Sequence, residues 1–93
     1  MGLDASHTVL IYDYVPDVLE RRAPHREAHL AWLAEWQQDG RLIAAGVLGD
    51  PPVGALFILR ADVDAEALMD GDPYIAAGIV TSSRTLPWTL AVR

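Results

Sequence analysis

The chain has 93 residues, a net charge of −6, seven basic residues that are all Arg, and no Cys. That is one domain, with no disulfide, thiolate nucleophile, ordinary zinc site or Schiff-base lysine. The acidic balance speaks against a phosphate backbone as partner, so no nucleic acid is expected, and no apolar run approaches the ~18 residues that would cross a membrane.

Hydrophobic residues make up 52%. A chain this short buries only roughly 60–65% of its unfolded surface, so some of that apolar excess is expected to cover an interface in a homodimer. Residues 1–7 read as an N-terminal tail without a signal peptide, and the Gly2 and Ser6 match to an acylation motif reads as chance. Residues 8–93 read as the single domain, and a cytoplasmic location is expected.

Thr8–Tyr14 is β-branched and aromatic and reads as a strand buried on both faces or nearly so. Pro16 and Asp17 end it. Val18–Arg22 is a short helical turn, and Pro24 then suits the first turn of a helix reaching about Gln38, because its missing N–H has no partner there anyway. Gly40 stands just past that helix, where a left-handed residue closes it. Arg41–Leu48 is a second strand, with Gly46 suggesting a bulge. The loop Gly49–Gly54 leads to a third strand, Ala55–Arg60, its hairpin partner. Asp62–Asp64 caps a second helix, Ala65 to about Asp70. Gly71–Tyr74 stops or bends it, and Ile75–Gly78 forms another short turn. The last strand opens at Ile79 and continues to Leu86, Pro87 limits its pairing, and Trp88–Val92 is a tail able to pair with another chain.

The order β-α-β-β-α-β is the split βαβ, ferredoxin-like arrangement. It predicts an α+β sandwich with both helices on one face of an antiparallel sheet. The bare face must be covered, and two copies packed face to face, a dimeric α+β barrel, would cover it.

His29 is the most informative residue. At ~100° per residue, Trp32, Leu33 and Trp36 lie within about 60° of it around the helix, and Arg22, His25 and Arg26 fall on the same side. A titratable imidazole thus faces an apolar surface with arginines at the helix entrance. That placement makes His29 either a satisfied core residue or a proton-transfer group in a pocket, where a reference pKa near ~6.5 would suit it to general acid–base work. His25 and His29 have metal-binding spacing, but Arg26 between them is unfavourable beside a cation. His25 therefore reads as a rim residue, and no metal site is expected. Ser82 and Ser83 lack a nucleophile elbow, and Gly46-Val47-Leu48-Gly49 is no phosphate loop.

Four pieces in fixed order, Leu19-Glu20-Arg21-Arg22, Arg26-Glu27-Ala28-His29-Leu30, Gly40 through Gly46, and Asp72-Pro73-Tyr74-Ile75-Ala76-Ala77-Gly78, with Pro87-Trp88 near the end, resemble the YCII-related (YciI-like) family over roughly residues 8–90. The resemblance implies a dimeric α+β barrel and a catalytic pair that falls on His29 and Asp72. It also implies proton-transfer, isomerisation or elimination chemistry on a small organic acid or phenol, as in related muconolactone isomerase-like barrels and a dehydrochlorinase acting on a chlorinated hydroxyquinol. Longer members carry an insertion where this chain has the short Gly49–Gly54 loop.

On that footing Asp72 would hold one imidazole N–H and fix the tautomer. Asp13, at the end of the first strand, competes for the same role or for substrate. Arg22 or Arg26 would hold a substrate anion, and Trp32, Trp36 and Tyr74 would wall a ring. No metal or organic cofactor is expected. The alternative is a non-catalytic module that binds a small ligand or assists a partner protein.

Overall fold

The computed structural model describes residues 5–92. Its elements are β1 (Ala5–Tyr14), α1 (Val18–Arg22), a 3-10 turn (Ala23–His25), α2 (Arg26–Gln38), β2 (Leu42–Leu48), β3 (Gly54–Arg60), α3 (Ala65–Asp70), α4 (Pro73–Ala76) and β4 (Val80–Thr89). The four strands form one antiparallel sheet in the order β2-β3-β1-β4. This is the expected split βαβ order, with each helical layer made of two pieces. Pro24 accounts for the break in the first: it has no amide to donate and its ring crowds the preceding turn, so the chain tightens to 3-10 geometry before α2 begins. Gly40 closes α2 at φ +80°. Asp64 and Asp72 cap α3 and α4, each carboxylate accepting from the backbone N–H two residues on.

The core lies between the sheet and the helices. Leu10, Tyr12, Phe57 and Leu59 from the central strands meet Val18, Trp32, Trp36, Leu68, Tyr74 and Ile79. β1 is not buried on both faces as expected. Leu10, Tyr12 and Tyr14 are buried, Val9 and Ile11 are half-buried, and Asp13 is exposed. The alternation of a strand sends successive side chains to opposite faces, and helices cover only one of them.

Three further expectations change. β1 begins at Ala5, and His7 pairs across from Arg60 and Trp88, so residues 5–7 belong to the sheet. The acylation-motif match at Gly2 lies outside the described residues. The register shift in β2 falls between Leu42 and Ala44, while Gly46 pairs regularly with Leu56. β4 runs on through Pro87 and Trp88 to Thr89, paired within the chain to β1. An edge strand tolerates Pro87 because a missing N–H there need not interrupt a second ladder.

Candidate active site

Asp72 stands in the turn between α3 and α4, 1% exposed. A buried carboxylate is costly unless its lone pairs are used, and here they are. Oδ1 accepts the His29 Nδ1–H at 2.8 Å and the Tyr74 backbone N–H at 2.9 Å, and Oδ2 accepts the Tyr12 O–H at 2.8 Å. Burial, then the charge of Asp72, pushes the Tyr12 phenol far above its ordinary value, so it remains a donor. The carboxylate can only accept. This assigns the imidazole proton to Nδ1 and leaves Nε2 as the accessible ring nitrogen.

His29 itself is 6% exposed. Its ring lies flat on Tyr74, with centroids 3.7 Å apart and planes 2° from parallel, and Trp32 stands behind it at 5.6 Å. Gly71 makes room for that indole: a Cβ there would sit 2.9 Å from Trp32 Nε1. Three elements distant in sequence therefore hold one imidazole: α2 carries it, the α3–α4 turn bonds it, and β1 braces the carboxylate.

A cavity of about 280 Å³ opens beside this group. An apolar void of about 150 Å³ admits benzene, so this space suits a single substituted ring. Its walls are Tyr14, Leu30, Leu33, Phe57 and Tyr74, its sheet floor includes Ala45 and Ala55, and Arg22, Arg26 and His29 supply the polar groups. The Tyr14 phenol is pushed up to about 12, first by burial and then by Tyr74 and Asp72. The Tyr74 phenol is also raised, chiefly by burial, with Arg22 and Arg26 opposing.

The structure thus brings together His29, Asp72, Arg22, Arg26 and Tyr74. It does not bring Asp13. Asp13 follows Tyr12 by one residue, so the pleat sends it to the other face, where its Oδ2 accepts a hydrogen bond of 2.6 Å from Ser82 Oγ. Asp72, not Asp13, is the partner of His29. Trp32 and Trp36 do not wall the cavity. Trp32 backs the histidine, and Trp36 carries the Arg41 guanidinium 3.5 Å above its ring. The sequence reading missed Tyr12 as a partner of Asp72 and Tyr14 as a cavity wall. The period-2 pattern Leu10, Tyr12, Tyr14 was the available signal for both.

A four-stranded antiparallel sheet of split βαβ order, with a buried His–carboxylate pair at a ring-sized cavity, defines a small α+β domain of ferredoxin-like topology. A YCII-related domain match spans residues 6–89, and the chain belongs to that family. Protein YciI of Escherichia coli O6:H1 is 40% identical over 76 residues, covering 68% of this chain and 76% of the relative. Protein YciI of Shigella flexneri matches to the same extent. Among solved structures, the 5-chloro-2-hydroxyhydroquinone dehydrochlorinase TftG from Burkholderia phenoliruptrix AC1100, in complex with 2,5-dihydroxybenzoquinone, superposes with a TM-score of 0.72 at 21% identity. The superposition covers 88% of this chain and 92% of that one. That likeness is one of fold.

Proposed function

We propose that this protein is a small-molecule enzyme in which His29, oriented by Asp72, moves a proton on a small organic acid or phenol. The observation that carries the proposal is the 2.8 Å bond from Nδ1 to a fully satisfied buried carboxylate, on a residue that borders the cavity. Nε2 takes a proton from a carbon next to a carbonyl, and the bonding pair moves onto that carbonyl as an enolate. Asp72 stabilises the imidazolium formed, and Arg22 or Arg26 balances the enolate charge. Reprotonation at another carbon gives isomerisation. Departure of a leaving group with its electron pair gives elimination. The solved structure of similar fold is a dehydrochlorinase bound to a dihydroxybenzoquinone, which supports a substrate of this class.

The functional unit we propose is a homodimer. Register places Val9, Ile11, Leu56, Ile58 and Leu86 on the sheet face away from the helices. Leu86 and Trp88 are 50% and 39% exposed in the single chain. A second copy on that face would remove this surface from water.

The second reading, a non-catalytic ligand-binding module, draws on how firmly His29 is built into the fold, between a ring stack and a hydrogen bond. His29→Asn separates the two. An enzyme loses turnover by at least ~10² while ligand affinity survives. A binding module keeps its function if the amide preserves the bond to Asp72. Retained turnover in a folded His29→Asn variant refutes the proton-transfer role.

A further inference from the structure

Tyr74 contains the single buried side-chain polar atom without a hydrogen-bond partner among the described residues, its hydroxyl oxygen. The residue is 2% exposed. Its neighbours in the core are well matched: the ring stacks on His29 and meets Tyr14 edge-on at 6.2 Å. Its backbone N–H is used by Asp72. Only the hydroxyl is left over. Arg22 and Arg26 pull the phenol's ionisation down by their charge, against the effect of burial, and Arg26 also lies within hydrogen-bonding reach of the hydroxyl oxygen. No hydrogen bond of proper geometry joins them, and a guanidinium can only donate, so the hydroxyl proton is left without an acceptor. Both arginines, Tyr74 and His29 border the same cavity.

A buried hydroxyl without a partner is costly, and folded proteins rarely keep one without use. Phenylalanine would give the same stack on His29. Burial raises the Tyr74 phenol, so near neutral pH it is an O–H donor in need of an acceptor. Two guanidinium groups beside it favour an acceptor that carries negative charge, and such hydrogen bonds are about twice as strong as neutral ones.

We infer that the Tyr74 hydroxyl is a specificity-determining donor. It receives an anionic oxygen of the ligand, a carboxylate or an acidic phenolate on a planar ring, in a position that Arg22 and Arg26 neutralise. Tyr74 and His29 are stacked in contact and line the same cavity, so a ligand held at this hydroxyl shares that space with the imidazole. The ligand class narrows from small organic molecules in general to planar monoanions. Neutral analogues of the same shape leave the hydroxyl unpaired and bind less well, as happens when a site built for a hydrogen bond meets a ligand lacking it. This inference rests on the proposed reading of the cavity as a small-acid site.

The test compares wild type with Tyr74→Phe, using benzoate as probe and benzamide as its neutral counterpart, by calorimetric titration and thermal melting. Tyr74→Phe is expected to weaken benzoate roughly 10- to 100-fold, to shrink the preference for benzoate over benzamide, and to leave the ligand-free melting temperature unchanged or higher. Equal benzoate affinity in the two proteins overturns the inference while leaving the cavity reading intact. A lower ligand-free melting temperature in Tyr74→Phe also overturns it, because the hydroxyl would then be serving the fold. If wild type binds neither benzoate, benzamide nor phenol, the small-acid reading of the cavity fails and takes this inference with it.

Discussion

Asp72→Asn tests the centre of the arrangement with little change in volume. The carboxylate accepts from His29, from Tyr12 and from the Tyr74 amide. An amide offers one accepting oxygen and one donating nitrogen. With the oxygen in the Oδ1 position, the His29 and Tyr74 bonds persist, and the NH2 meets Tyr12 Oη, whose own proton then has no acceptor. With the amide reversed, Tyr12 is served, the Tyr74 N–H is orphaned, and the imidazole must shift its proton to Nε2. Either way at least one hydrogen bond to a charged group is lost, worth about 1.5–3 kcal/mol, and the cap on α4 survives in the first orientation, where the Asn oxygen accepts the Tyr74 N–H as Asp does. A domain of this size has roughly 5–14 kcal/mol of stability, so the variant should remain folded. Asp72→Ala would lose all three bonds together and confound the reading. Urea unfolding should show the 1.5–3 kcal/mol loss. Nitrogen NMR of the His29 ring should show Nδ1–H in wild type, and turnover on any substrate found should fall by ~10² or more. Wild-type stability in Asp72→Asn, or an Nε2–H tautomer in the parent protein, would refute the geometry on which the mechanism depends.

Stability should decline at alkaline pH through the tyrosines. Tyr14 ionises near 10.0 in the unfolded chain and at about 12 in the fold, and Tyr12 is raised in the same direction. The folded form therefore keeps protons that the unfolded form releases. This contribution is fully present below pH 10 and is lost above it, by about 1.4 kcal/mol per pH unit for each phenol. Urea midpoints measured on either side of pH 10 check this, and a flat profile contradicts the burial of both rings. On the bare sheet face, Leu86→Glu should convert a dimer to monomers in light scattering without loss of helical or sheet signal, since Leu86 is half exposed in the single chain. A wild-type protein that is already monomeric at micromolar concentration would end the dimer proposal.

Local chemistry alone settled much of this protein. The β-branched run in β1, the helical spacing around His29, Pro24 and Gly40 at the two ends of the helical stretch, and the Asp64 and Asp72 turns all act within a few residues. Backbone sterics and hydrogen bonding express them without help from the rest of the chain. His29 was legible as a candidate for the same reason, because a helix fixes which neighbours share its face.

Which carboxylate met that imidazole was not legible in local pattern, and only the family resemblance pointed to Asp72. Asp13 and Asp72 are both distant from it in sequence, and the choice fell to the sheet. Covering one face with helices turned Tyr12 inward and its neighbour Asp13 outward. The inward phenol then braced Asp72, 60 residues away. The indole of Trp32 went behind the histidine instead of into the cavity because Gly71 leaves space there. Pairing with β1 likewise absorbed His7 and Trp88, which read as tail residues, because ladder hydrogen bonds join segments at opposite ends of the chain. Contacts between remote segments depend on which faces pack together, and that is decided only when the whole chain excludes water from one side of the sheet.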